Sequence, residues 1–339
     1  MASLKLTLMS LAIWTLSLFY SVQVLFFVAV QFFRKPHSKL WVVKKRPYPP
    51  QCLQKHDCGV DKLITVNGVK LHYVENGDPS KPLMVFVHGF PEFWFSWRYQ
   101  LKEFAKDYWV VAVDMRGYGD SDKPQELDAY QVPVMVQDIK ELVTALGRKK
   151  FTLVAHDWGA VVAWDFLSQH MDMLEKYIFM DAPSRRVAHK LITSTKEQFK
   201  MSWYMFFFQM PKLPELFVRM NDLKMLDIAL GKFCSPEELE AYKYTFSKKG
   251  ALTPPINYYR ANLSPNAKRN IRPPTDIPHV PGLYLLGEKD LFISKASAPL
   301  LQEQFNNLEY KIVPGGGHFV QQDKPELVNQ IMREFLAKK

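Results

Sequence analysis

Four short, uninterrupted runs, Leu83 to His88, Trp109 to Asp114, Phe151 to Ala155 and Lys176 to Met180, constrain the fold of this 339-residue chain more than any other feature. Each is too short for a self-sufficient helix and too continuously apolar for a strand with one wet face. They read as strands covered on both sides. Helical patterns lie between them, notably Val134 to Leu146, ending at Gly147 as a C-cap would. Such alternation builds a mostly parallel sheet with helices on both faces. A hairpin leads into it, Leu63 to Thr65 and Lys70 to Glu75 joined by Asn67-Gly68. Strands at Gly282 to Leu286 and Tyr310 to Val313 and a closing helix from Pro325 to Leu336 come only near the C-terminus. From Ser184 to about Pro274 the alternation gives way to helical segments rich in Phe, Met, Leu and Tyr. An insertion of this kind in an α/β core reads as a helical cap.

The N-terminus carries an appendage. No charged residue occurs between Lys5 and Arg34, and Leu6 to Phe33 exceeds the roughly 20 apolar residues that cross a bilayer. A cleaved secretory signal would have an apolar region of only about 7 to 15 residues, so the segment reads as a membrane anchor. Arg34, Lys35, Lys39, Lys44, Lys45 and Arg46 follow it and only Lys5 precedes it, which places the body on the cytosolic side. Residues 1–50 contain seven basic residues and no acid, leaving about +3 of the formal +10 for the remainder. That is too little to argue for nucleic acid, and the basic cluster reads as a contact with anionic lipid. Three cysteines, Cys52, Cys58 and Cys234, are too few and odd in number for a disulfide framework and fit a reducing compartment. The proline-bearing stretch from Pro47 to Asp61 reads as a linker. The expected organisation is an anchor with its basic flank over 1–50, a first part of the core over 51–183, a cap over 184–275 and a second part of the core over 276–339.

The chemistry centres on Leu153 to Trp164, where a buried-type strand stops at Asp157, between His156 and Trp158, and a helix with small residues begins at once. Strand, tight turn and helix, with Ala155 and Gly159 two positions to either side, form the setting of a nucleophile elbow. Such an elbow usually holds serine, and Asp there changes the reaction class. A carboxylate attacks esters and amides poorly, but it displaces a leaving group from sp3 carbon and leaves an alkyl ester on the enzyme. The alternative is that Asp157 only caps the following helix. His88-Gly89-Phe90-Pro91 follows its strand where an oxyanion hole is needed, so the backbone N–H groups of Phe90 and Trp158 are the candidate donors; an ordinary Gly-Pro turn is the alternative. His318, in the glycine-rich loop 314–319, follows the last strand and is the candidate base. Asp290 in Gly287-Glu288-Lys289-Asp290 ranks first as the acid that orients it, ahead of Glu288 and Asp181.

Taken together, His88 to Glu92 (HGFPE), His156 to Gly159 (HDWG), Gly287 to Asp290 (GEKD) and Gly316 to His318 (GGH) resemble the epoxide hydrolases of the α/β-hydrolase fold. They are nearest to the membrane-anchored kind numbered 3 and 4, and the resemblance covers essentially the whole chain including the anchor. It implies an α/β-hydrolase fold with a helical cap that contributes two tyrosines to hold the epoxide oxygen. Trp203 to Gln209 is similar to the first tyrosine motif and Asn257 to Arg260 to the second, which assigns Tyr204 and Tyr259, with Tyr258 as the neighbour to be distinguished. The implied reaction converts a lipophilic epoxide and water to a vicinal diol, without metal or organic cofactor. Epoxy fatty acids are the natural candidates, and the endoplasmic reticulum is the expected membrane. The Gly117-Tyr118-Gly119 turn lacks the third glycine and the context of a dinucleotide site. Haloalkane dehalogenases share the Asp elbow and its Trp but often carry Asn where this chain has Phe90. The rivals are therefore a dehalogenase-type hydrolase and a membrane-tethered ligand-binding protein without turnover.

Overall fold

The computed structural model describes residues 2–34, 40–263 and 279–338; Lys35 and Lys39 of the basic flank and the end of the expected cap, 264–275, lie outside them. The chain groups into two compact units. The sheet-bearing unit holds eight strands, β1 (Val60–Val66), β2 (Val69–Asn76), β3 (Leu83–Val87), β4 (Trp109–Val113), β5 (Phe151–His156), β6 (Leu174–Met180), β7 (Gly282–Gly287) and β8 (Leu308–Val313), in the order β1-β2-β4-β3-β5-β6-β7-β8. The first two pairings are antiparallel and the rest parallel. β3, β4 and β5 are buried along their whole length, as their unbroken apolar runs require.

β3 lies between β4 and β5, so the winding direction reverses there. The carboxyl ends of β3 and β5 consequently lie side by side at a topological switch point, where open α/β sheets leave a crevice. The helix Val132–Ala145 buries Val132, Met135, Val136, Ile139, Leu142 and Val143, one stripe at helical spacing. It gives way to Gly147 at φ 75°, as the C-cap reading expects. Asn67 and Gly68 have φ 47° and 73°, the backbone of a two-residue hairpin turn. β1 is longer than its sequence pattern suggested because pairing with β2, not burial, defines it: its first four residues are exposed. The helices Arg185–Ser194 and Lys196–Met201, expected in the cap, belong to the sheet-bearing unit.

The other unit is helical. It contains Trp203–Phe207, Leu213–Leu230, Pro236–Ser247, Thr253–Leu263, the short segment Leu127–Tyr130 and the N-terminal helix Ala2–Arg34. Asn221, Asp222 and Leu223 have φ of 51°, 60° and 62°, so Leu213–Leu230 is two helices meeting at a corner. Ser235 and Glu238 form a capping box that starts Pro236–Ser247. The end of the basic flank is fastened down, and within the stretch read as linker the Cys52 N–H donates to Glu237 Oε1 (2.8 Å). The Asn221 N–H donates to the Leu40 carbonyl (2.7 Å), and Arg46 forks onto both Asp222 oxygens (2.7 Å each) with its Nε on Glu240 (2.7 Å). Arg46 is nearly buried and is therefore spent inside the protein, whereas Lys44 and Lys45 are exposed. The N-terminal helix is apolar enough to cross a membrane over Leu6–Arg34. It also packs one face, Ser17, Ser21 and Val24, into this unit, with the Tyr20 ring 6.1 Å from Trp203 and 6.3 Å from Phe206.

Candidate active site

At the end of β5 the backbone of Asp157 turns to φ 49°, ψ −119°, and the helix Trp158–His170 begins at once. This conformation costs a non-glycine residue about 1–3 kcal/mol and is held by its surroundings: the Asp157 N–H donates to the Met180 carbonyl (3.1 Å). The Asp157 side chain makes no capping bond to the helix, which removes the alternative reading of this residue. Small neighbours are obligatory at the elbow. A Cβ on Gly159 would sit 2.3 Å from the Val87 carbonyl oxygen, and one on Gly89 2.4 Å from the Asp157 Cβ and Oδ1.

The two oxygens of the Asp157 carboxylate face different partners. Oδ1 accepts the Phe90 N–H at 2.7 Å, and Oδ2 lies 3.5 Å from His318 Nε2. The other ring nitrogen of His318, Nδ1, lies 2.9 Å from Asp290 Oδ2, whose second oxygen accepts the N–H groups of Phe292 (2.7 Å) and Ile293 (3.0 Å). Burial pushes the Asp157 carboxyl up, but the His318 bond and charge, with the Phe90 N–H, outweigh it and hold the group below the usual carboxylate range. His318 runs the other way: burial lowers it, yet Asp290 and Asp157 together raise it well above an ordinary imidazole. The resting site is an ion pair braced by a second carboxylate.

Sequence position thus brings Phe90, Asp157, Asp290 and His318 together from loops after β3, β5, β7 and β8, and Trp158 stands beside Asp157 as the first helical residue. Glu288, a rival for the acid, is exposed and accepts the Gly315 N–H (2.8 Å), bracing the loop that leads to His318. Gly287 is needed where this loop passes, since a Cβ there would lie 2.0 Å from the Gly317 oxygen. Asp181, the other rival, is buried close to Asp290, and one donor atom each of Asp181, Asp290 and His318 lie within 4.8 Å of one another. That set offers a cation no uncommitted imidazole, because both ring nitrogens of His318 already face carboxylates.

Glu92 closes the HGFPE motif, which by itself assigns it no role. Its carboxylate is buried and accepts four hydrogen bonds: Gly89 N–H (2.9 Å) and His156 Nδ1 (2.7 Å) on Oε2, Gln321 (2.8 Å) and Gln322 (2.9 Å) on Oε1. His156 Nε2 meets the carbonyl of His318 at 2.7 Å. Glu92 therefore ties the loop that carries Phe90 to the loop that carries His318. Only the placement of an acid directly after Gly-Phe-Pro hinted at it.

In the helical unit Tyr204 and Tyr259 meet edge to face, ring centroids 5.8 Å apart, and each also packs on Phe208. Tyr258 turns the other way, onto Tyr130 at 5.7 Å, which separates it from the pair. Arg260 braces this part of the unit, donating to both Glu215 oxygens (2.7 and 3.0 Å) and to the Phe208 carbonyl (3.0 Å).

Residues 82–325 match the family described as the alpha/beta hydrolase fold. Epoxide hydrolase 3 of Xenopus tropicalis is 39% identical over 86% of this chain and 82% of its own length. Epoxide hydrolase 4 of Homo sapiens is 36% identical over 98% of this chain and 95% of its own. Among solved structures, the Bacillus megaterium epoxide hydrolase in complex with an inhibitor superposes with a TM-score of 0.75 at 30% identity, covering 82% of this chain and 100% of that one.

Proposed function

The chain belongs to the epoxide hydrolases of the α/β-hydrolase fold, and on that premise we propose that it opens epoxides to vicinal diols through an ester on Asp157. The observation that carries this reading is the division of the Asp157 carboxylate, one oxygen on the Phe90 N–H and the other toward His318. Oδ2 attacks an epoxide carbon and the C–O bond breaks. The departing alkoxide takes a proton from a phenol, for which Tyr204 and Tyr259 are the pair. Alkylation removes the charge of Asp157, one of the two carboxylates that hold a proton on His318. The imidazole's affinity for that proton falls, so the proton passes to the tyrosinate that ring opening leaves, restoring the phenol, and neutral His318 becomes competent to take one from water. The resulting hydroxide adds to the Asp157 carbonyl carbon. The oxyanion forms on Oδ1, where Phe90 N–H already donates and Trp158 N–H joins it. Collapse breaks the bond between the Asp157 carbonyl carbon and the alkoxide oxygen, His318 gives its proton to the leaving alkoxide, and the Asp157 carboxylic acid so formed passes its own proton to His318, which restores the ion pair as the diol departs.

The substrate is a lipophilic epoxide, epoxy fatty acids being the class that fits best. Support comes from an N-terminal helix apolar enough to span a bilayer and from the Phe- and Tyr-rich surroundings of Tyr204 and Tyr259. Arg34, Lys44 and Lys45, exposed beyond that helix, favour a cytosolic catalytic body with anionic lipid beside it, on the endoplasmic reticulum.

The test is the His318→Gln protein mixed with a panel of lipophilic epoxides and read by intact and peptide mass. The expected result is a stable adduct of the epoxide's mass on the peptide that contains Asp157. A folded variant that forms no adduct with any epoxide, or a wild type that releases halide from haloalkanes instead, overturns the reading.

A further inference from the structure

Among the described residues, Asp181 is the acid beside the catalytic pair that the two-step reaction leaves unused. It follows β6, has φ 51° and is wholly buried. Its Oδ1 accepts the Gly287 N–H at 2.8 Å, but its Oδ2 meets no donor at hydrogen-bond distance among the described residues; His156 Nε2 lies 3.7 Å from it and is already committed to the His318 carbonyl. An ionised carboxylate buried with a bare oxygen is costly. Beside it lies another acid: one carboxylate oxygen of Asp181 and one of Asp290 lie within 4.8 Å of each other. Two carboxylates at this distance cannot both ionise in a buried site, and one proton shared between them resolves the conflict. Asp290 already accepts three N–H donors, so the charge belongs on Asp290 and the proton on Asp181. Burial and the Asp290 charge do raise Asp181 well above an ordinary carboxyl.

We propose that Asp181 is a positioning residue of the hydrolytic step, a buried neutral carboxylic acid whose O–H donates to Asp290, so that the acid behind His318 carries one negative charge and a fixed orientation. The proposal rests on the reaction assigned to Asp157 and His318 and deepens it. The charged or titratable groups that face Asp181 are Asp290 and His318 from the loops after β7 and β8, His156 from β5 and Tyr284 from β7. With Asp181 neutral, the proton affinity of His318 in the ester intermediate is set by Asp290. With Asp181 ionised, a second negative charge within 4.8 Å would keep His318 protonated and block it as a base.

The experiment compares wild type, Asp181→Asn and Asp181→Ala in single-turnover hydrolysis of the preformed ester against pH, with infrared spectra of the same proteins. Asparagine supplies a neutral N–H donor in place of the O–H, and alanine supplies none. Asp181→Asn is expected to keep the acid limb of the hydrolysis profile at the wild-type pH, and its rate is expected to lie above that of Asp181→Ala, which loses roughly 10- to 100-fold as buried partners of site residues do. The carbonyl band of a protonated carboxyl in the wild type is expected to vanish in Asp181→Asn. If Asp181 is ionised in the wild type, removing its charge moves the limb to lower pH by on the order of two units at an effective dielectric of about 20. That displacement, an absent carboxylic acid band, or an Asp181→Asn rate equal to that of Asp181→Ala overturns the proposal. A wild type without turnover of any epoxide sinks the enzymatic reading, while the infrared band still decides the state of Asp181.

Discussion

Replacing Glu92 with glutamine removes one charge and adds no volume, yet the structure makes it expensive. The carboxylate receives two donors on each oxygen, so an amide at this position points its NH2 at two N–H groups whichever way it turns. The cheaper orientation faces Gln321 and Gln322. Gln321 can flip its amide to accept, because its own Oε1 is buried with no partner among the described residues. Gln322 cannot, since its Oε1 accepts Arg98 Nη1 at 2.7 Å. At least one hydrogen bond to a charged group is lost, worth about 1.5–3 kcal/mol, and the bonds from Gly89 and His156 fall from charged to neutral strength. The sum is about 3–4 kcal/mol, a large share of the roughly 5–15 kcal/mol that holds a domain folded. At about 2–4 °C per kcal/mol for a unit of this size, thermal unfolding of Glu92→Gln should fall by on the order of 10 °C. Single-turnover alkylation should slow as well, because the tie from the Phe90 loop to His156 weakens and its tie to Gln322 is lost. Glu92 is held below the usual carboxylate range, burial being outweighed by His156 and the Gly89 N–H. Its contribution is therefore present above the unfolded carboxylate pKa and is lost as pH falls through the depressed folded value, so the gap between the two proteins should narrow in acid. A Glu92→Gln protein within about 1 kcal/mol of wild type at neutral pH would refute this account of the network.

The remaining predictions concern the chemistry and its supports. Asp290→Asn removes the charge that most strongly raises His318; the acid limb of ester hydrolysis should move to lower pH, because His318 must be neutral to act, while the plateau falls by roughly 10³–10⁴ from loss of the oriented imidazole, as stopped-flow hydrolysis across pH would show. Gly287→Ala drives a Cβ to 2.0 Å from the Gly317 oxygen, so the His318 loop must move and turnover should collapse; Gly147→Ala, with no atom within 4 Å of the new Cβ, should cost only about the 1–2 kcal/mol of a left-handed residue, as paired unfolding curves would reveal. Tyr259→Phe should slow alkylation by about 10²-fold or more, whereas Tyr258→Phe, whose ring packs on Tyr130, should leave the alkylation rate near wild type; equal losses in rapid-quench assays would put Tyr258 in the pair.

What the sequence could and could not reveal follows from the range over which each feature is determined. The elbow is local: β5 needs only an apolar run, and the turn needs only small residues near it, so Phe151 to Ala155 was legible to within one residue of the observed Phe151–His156. The closing helix Pro325–Leu336 was legible in full, because proline at its start and the stripe Val328, Ile331, Met332 and Phe335 are written in consecutive residues. Choosing Asp290 over Glu288 and Asp181 was a matter of chain order alone, and the decision lies in which carboxylate turns toward His318 Nδ1. The Glu92 network was invisible for the opposite reason. Its partners His156, Gln321 and Gln322 lie 64, 229 and 230 residues away, and nothing in a five-residue motif says whether a glutamate is solvated or accepts four buried bonds. Arg46 of the basic flank was illegible for the same reason: expected at the lipid surface, it becomes a buried fork because a left-handed corner 176 residues later presents Asp222. Short-range physics therefore writes the nucleophile and its turn into adjacent residues, while the groups that set protonation and hold the loops in register are distributed along the chain. Asp181 belongs to the second class, since its meaning rests on a single proton shared with an acid 109 positions away in sequence, and perturbing that proton is the most direct measure of how far the fold, beyond the motif, sets the base strength of His318.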